Sequence, residues 1–367
     1  MTQNPYESLP PQAFWRSAVA EQDALDIRGL WSPKFDITEK TPIVTAGSCF
    51  AQHIGRALRE RDYNWIDGEA APGSADLQKA FHYGTFSFRT GNIYTTRMLA
   101  QWVEWAIKPE DCPDMFWEKD GRFYDPFRPA VEPDGFFSIE EARASRLATL
   151  NAIRSSIRKA EVFVFTLGLT ECWRDKATGT EFAICPGTVA GEFDPQAHEF
   201  HNMSYDDVMR DLNRAIINMR RIRSGLKVLL TVSPVPLTAT ASKQHVLNAT
   251  SYSKSVLRAV AGSASSNMEC VDYFPSYEII THPVFAGQFY AANQRSVLPE
   301  GVDHVMTCFF HDLNAAFGRA APVRPAKAVP TVSTAEDDGE ISASDDVRCE
   351  EEMLAAFQSQ TSAEGET

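Results

Sequence analysis

Three short apolar runs constrain this chain more than any other feature. Residues 41–47 (Thr-Pro-Ile-Val-Thr-Ala-Gly), 162–167 (Val-Phe-Val-Phe-Thr-Leu) and 227–233 (Lys-Val-Leu-Leu-Thr-Val-Ser) read as strands, yet none alternates polar with apolar residues. A strand of that kind buries both of its faces, as happens when helices cover a sheet on each side. Glycine or proline follows or ends each run, at Gly47, Gly168 and Pro234. Helical patterns at 139–159 and 205–223 precede the second and third runs. Beyond Pro236 come a helix at 251–261, a short strand at 268–272, a helical turn at 275–280 and a last helix at 302–317. This alternation predicts an α/β fold, a three-layer α/β/α sandwich on a doubly wound, mostly parallel sheet.

The first run turns directly into a helix. Phe50, Ile54, Ala57 and Leu58 recur at helical spacing right after Gly47-Ser48, so strand passes to helix within one sharp turn. Two stretches lack a period, 109–135 and 175–203, and are expected to be irregular insertions, the first of them lying over the sheet edge. From about residue 319 the composition shifts to Pro, Ala, Ser, Thr and acidic residues, too poor in apolar surface to offset the entropy of ordering. The expected organisation is an N-terminal extension at 1–40, an α/β domain at 41–318 and an acidic, disordered tail at 319–367. Within the tail, 350–358 has Met353, Leu354 and Phe357 on one side of a short helix, which either stays solvated or docks a protein partner.

Charge narrows the function. The net charge is −14, and from Thr331 onward eleven acidic residues face one arginine, so the tail carries −10 of it. The folded part is nearly neutral and has no basic cluster, which argues against nucleic-acid binding. No apolar run reaches the roughly 18 to 20 residues of a membrane span. Met1-Thr2-Gln3-Asn4-Pro5-Tyr6 lacks the basic and apolar regions of a secretory signal. The seven cysteines are scattered with no Cys-x-x-Cys pair, as expected of reduced thiols in a cytoplasmic protein.

Ligands of open α/β sheets bind outside the carboxyl ends of the strands. Those ends carry Gly47-Ser48, Gly168-Leu169-Thr170-Glu171 and Ser233-Pro234. Ser48 is the first candidate, because a hydroxyl at a helix start meets backbone N–H groups that favour developing negative charge. The same position suits an ordinary helix cap, and sequence geometry does not separate the two. Cys49 is a second possible nucleophile, since a thiol at a helix start is acidified, but helix geometry lets only one of the neighbours face a pocket. His198, Glu199, His201 and Asp194 form a weak metal pattern and read better as an exposed loop. Glu171 and Trp173 are candidate pocket residues, with Trp173 suited to stacking on a sugar ring. Arg89, Arg97 and Lys254 are weaker candidates for substrate contact.

The run Gly47-Ser48-Cys49-Phe50-Ala51 resembles the signature of the GSCFA-domain family, which is similar to the SGNH hydrolases and PC-esterases, acyl esterases and acyltransferases on a flavodoxin-like sandwich. The resemblance extends from about residue 43 to 310 through Tyr94-Thr95-Thr96, residues 166–173, Ser233-Pro234-Val235-Pro236 and residues 272–278. It implies Ser48 as nucleophile and oxyanion donor, with Gly91, or alternatively Gly84, as a second donor. The third SGNH block ends in Asn; here Gly168-Leu169-Thr170 offers a hydroxyl instead. The last block, Asp-x-x-His, matches 301–304, which makes His304 the general base but leaves glycine in place of the acid. Glu300 is then the preferred orienting group; Asp303, or a backbone carbonyl, is the other option, and His282 an alternative base. The implied function is a serine esterase or acyltransferase acting on an O-acyl, and especially O-acetyl, saccharide or polysaccharide precursor, with no metal or organic cofactor. The runner-up is of a different class, a binding or scaffold protein whose tail recruits a partner, and its evidence is the departures in the third and last blocks.

Overall fold

Four parallel strands, each covered on both faces, form the centre of the computed structural model, which describes residues 4–71, 73, 80–320 and 353–354. In chain order the strands are β1 (Ile43–Gly47), β2 (Trp117–Lys119), β3 (Arg122–Tyr124), β4 (Val162–Leu167), β5 (Glu171–Asp175), β6 (Glu181–Phe182), β7 (His198–Asn202), β8 (Lys227–Val232) and β9 (Val271–Tyr273). The helices are α1 (Phe50–Arg59), α2 (Thr96–Ile107), α3 (Ile139–Lys159), α4 (Tyr205–Ile222), α5 (Val246–Asn267), α6 (Ser276–Thr281) and α7 (Pro299–Ala316). The central sheet has the order β1-β4-β8-β9 with all pairs parallel. A single parallel bridge between Ile43 and Trp65 continues it past β1.

The period-2 alternation of a strand divides the apolar runs between two cores. Val44, Ala46, Phe163, Phe165, Leu167, Val228 and Leu230 face a cluster closed by α2, α3, α4 and α5. Ile43, Val162, Val164 and Leu229 face the opposite cluster, closed by α1 and α7. Trp31, Phe35 and Ile37 belong to that second cluster, and Asp312 on α7 accepts the backbone N–H groups of Gly29 and Trp31. The segment before residue 41 is thus packed into the sandwich along part of its length.

Helix boundaries follow local chemistry. Ser138 caps α3 by accepting from the Glu141 N–H, with Glu140 and Glu141 in the first turn and Arg158 and Lys159 in the last, the charge order that complements the helix dipole. Ser204 and Asp207 form a reciprocal capping box at the start of α4. Two expectations are corrected. The stretch 175–203 is irregular only in part: β5, β6 and β7 form a three-stranded antiparallel sheet in the order β6-β5-β7, so His198, Glu199 and His201 lie on a strand, while 183–197 are in neither helix nor strand. The stretch 109–135 contains the β2–β3 hairpin and a buried ion cluster, in which Asp125 is held by both Arg128 and Arg146. Most of the tail, including most of the expected helix at 350–358, lies outside the described residues.

Candidate functional site

Three chain segments converge at the carboxyl end of β1. Gly47 has φ +139°, and a Cβ there would lie 2.5 Å from the Thr166 carbonyl oxygen, so this tight passage beside β4 needs glycine. The Ser48 N–H donates to that oxygen at 3.1 Å, and the Ile93 N–H donates to the Gly47 carbonyl at 2.8 Å. The Gly168 and Leu169 N–H groups both donate to the Tyr94 carbonyl, at 2.9 and 3.1 Å. A Cβ on Gly168 would come within 3.0 Å of the Tyr94 ring and 3.1 Å of Ser48 Cβ. Gly168 therefore brings the ends of β1 and β4 into contact through Ser48.

Ser48 is 1% exposed, and its Oγ has no hydrogen-bond partner among the described residues. The ordinary reading of this serine as a helix cap is not realised: α1 starts behind Cys49, with no side-chain capping bond. A buried hydroxyl left unpaired costs about 1–3 kcal/mol, so in a native structure it needs a reason. Cys49, beside it, is half-buried.

The other expected residues divide into those near Ser48 and those apart from it. Thr170 is fully buried; its hydroxyl donates to Asn202 at 2.7 Å and its N–H to Ser253 Oγ at 3.0 Å. Gly91 turns the chain at φ +66° just before Asn92, and Gly84 does so at φ +63°. Glu171 accepts the Thr240 hydroxyl at 2.6 Å; burial raises its pKa, and the hydrogen bonds from Thr240 and the Ala241 backbone only partly offset this. The Trp173 ring meets the edges of Phe193 and Phe200 at 5.2 and 5.6 Å.

His304 occupies the second turn of α7, stacked on Phe289 at 5.2 Å and edge-on to Phe285 at 5.7 Å. Its Nε2 lies 3.8 Å from Cys308 Sγ. Glu300 and Asp303, one turn before and immediately before His304 on α7, are exposed. A Cβ at Gly301 would come 2.9 Å from Phe289 Cβ and 3.2 Å from Ile280 and Val297, which is why no acid fits at that position. His282 serves its own turn by accepting from the Val284 N–H.

Of the cations, Arg89 binds Glu132 and the carbonyls of Phe81 and Val131, while Arg97 pairs with Asp211 at 3.0 Å. Both are structural. Lys254 is different: it is 3% exposed and donates to the Gly168 carbonyl at 2.6 Å, placing an ammonium one residue from Ser48. Among the described residues no group of His, Cys, Asp and Glu is arranged to hold a metal ion, and no helix is long and apolar enough to cross a membrane.

A cavity of about 620 Å³ opens past the same strand ends, lined by Asn92, Tyr94, Leu169, Glu171, Trp173 and Glu181 among others. Glu181 is the residue that pattern reading misses. It is 2% exposed and burial pushes its carboxyl up to about 7, against the opposing pull of the Thr95 hydrogen bond and of Arg97. No motif marks it, because its setting is created by β6 folding back onto β5.

No curated protein matches the chain. Residues 42–309, which run from the start of β1 through most of α7, match the GSCFA family. With the match spanning most of its length, the chain belongs to the GSCFA family.

Proposed function

We propose that this protein is a serine esterase or O-acyltransferase that forms an acyl-Ser48 intermediate on an O-acylated saccharide. The observation that carries this reading is the buried Ser48 hydroxyl at the carboxyl end of β1, unpartnered among the described residues and backed by the ammonium of Lys254 across Gly168. Ser48 Oγ would attack the acyl carbonyl, its proton passing to His304 and then to the departing sugar oxygen; water or an acceptor hydroxyl would resolve the ester. In the described geometry the Ser48 N–H and the Thr170 hydroxyl already have acceptors. In this reading Gly91 supplies a backbone donor, with Lys254 adding positive charge to the site. In this reading Glu300 or Asp303 orients the His304 ring, which packs on Phe285 and Phe289.

A second reading is a binding protein on the same scaffold that has lost its chemistry and recruits a partner through its acidic tail. The observation that favours it is the crowding at Gly301, which leaves no room there for an orienting acid, beside a His304 ring packed on two phenylalanines. Turnover of acetyl esters, measured with and without an added saccharide acceptor, separates the readings. Release of acetate that stops in Ser48→Ala supports the esterase, and acceptor-dependent product supports the transferase. No turnover in either assay leaves the binding protein.

A further inference from the structure

The wall of the cavity beside Ser48 is mostly carbon. Tyr94, Leu169, Trp173, Phe182, Phe193 and Phe200 supply much of it, and among them sits the carboxyl of Glu181. Its position is fixed from three sides. The Thr95 hydroxyl donates to Oε1 at 2.5 Å, the Glu181 N–H donates to Gln101 Oε1 at 2.8 Å, and Gln101 Nε2 donates back to the Glu181 carbonyl at 3.1 Å. Oε2 has no hydrogen-bond partner among the described residues, and the weakly polar Cys172 thiol lies against the carboxyl. A mostly apolar wall with a few placed polar groups, here the anchored Glu181 carboxyl with Asn92, Glu171 and Thr240 elsewhere in the lining, is the usual layout of a site that orients a small ligand. The far C-terminal segment adds an independent sign, because Leu354 lines this cavity and packs on the core cluster that includes Cys172. An aliphatic group is therefore already accommodated there.

The geometry points to this cavity as the binding site of an uncharged, largely apolar group, an acyl chain or ring, carrying one hydroxyl that hydrogen-bonds to Glu181. A hydroxyl suits Glu181 in either protonation state, since it donates to the carboxylate and accepts from the acid. A carboxylate ligand does not, because once Glu181 is ionised the two negative charges repel across a low-dielectric wall. Arg97, Cys172 and Asp211 act on Glu181, and Glu171 and Glu192 line the same cavity; of these only Arg97 favours an anion. As a subsite of the acyl-transfer reaction this rests on the reading of Ser48; as a binding site it stands without it.

The test is titration of the full-length protein at pH 8.5 with 1-octanol, with octanoate as the matched anion and methyl glucoside as the polar control, followed by calorimetry and tryptophan fluorescence. Saturable octanol binding is expected, with octanoate at least about tenfold weaker, no glucoside binding, and a loss of about tenfold in octanol affinity for Glu181→Leu, the size of one hydrogen bond. Absence of saturable octanol binding, equal binding of octanoate, or glucoside binding in place of octanol would overturn the inference. So would undiminished affinity in a folded Glu181→Leu; if that variant does not fold, the octanol-to-octanoate ratio of the wild type decides alone. The titration reads occupancy and not turnover, so an inert Ser48 leaves it unaffected.

Discussion

Lys254 Nζ on α5 donates a 2.6 Å hydrogen bond to the carbonyl oxygen of Gly168, the residue where a Cβ would come within 3.1 Å of Ser48 Cβ. The bond ties the helix layer to the end of β4 with a charged donor in a dry setting, where such bonds contribute most. Lys254→Met keeps the aliphatic stem and removes the charge, leaving the Gly168 carbonyl without this donor. Urea unfolding is expected to show a loss of about 2 kcal/mol. Equal midpoints and slopes for the variant and the wild type would show that the ammonium carries no structural load.

Asp125 is fully buried between Arg128 and Arg146, at 2.9 Å from each. Burial opposes its ionisation, but the two guanidinium groups outweigh that and hold its pKa below the ordinary 3.8. The folded pKa is therefore the lower one, so the stabilisation is complete above the ordinary value and is lost as pH falls through the folded value. Asp125→Asn should cost about 3 kcal/mol near neutrality, because two buried cations lose their counter-charge. That deficit should shrink as unfolding is measured at successively lower pH below about 4.

Glu181 gives the opposite sign. Burial raises its carboxyl from 4.5 to about 7, so between those values the folded chain binds more protons than the unfolded chain. Stability contributed by this group is therefore present below about 4.5 and falls as pH rises toward 7. Glu181→Gln removes the titration. Urea midpoints compared at pH 5.5 and 8 should fall more for the wild type than for the variant, and parallel changes would place the ionisation elsewhere.

The parts of the fold that are legible in the sequence are those with one dominant physical demand. The runs 43–47, 162–167 and 227–232 must bury both faces, and nothing but a covered parallel sheet accepts them. The 139–159 helix shows equally well, with its cap and end charges in place. The β5–β6–β7 sheet is hidden because strands such as His198–Asn202 are half-exposed and mix polar with aromatic residues, which reads as loop. Helix α2 goes unassigned for the contrary reason: Met98, Leu99, Trp102, Val103, Trp105 and Ala106 are all buried, so no single apolar stripe stands out. At the site, Gly47-Ser48 and Gly168 are legible because a close passage between strands demands them. His304 is legible as a residue, but its surroundings are not: Phe285 and Phe289 are brought to it by a loop that no periodicity describes.

Leu354 is a point of control for the cavity, since it is the one described tail residue that lines it. Leu354→Asp places a charge against an apolar wall and should displace the segment. Octanol affinity measured by calorimetry is then expected to rise about threefold to tenfold, or roughly 0.6 to 1.4 kcal/mol. An unchanged affinity would mean that the leucine only borders the ligand volume and does not compete for it.

The account depends most on the nucleophilic character of Ser48, and labelling with an alkyl fluorophosphonate followed by peptide mass mapping measures it directly. The predicted result is a single adduct on the peptide carrying Ser48, absent in Ser48→Ala and retained in Cys49→Ala. No adduct on the wild type, or an adduct that persists in Ser48→Ala and disappears in Cys49→Ala, would contradict it.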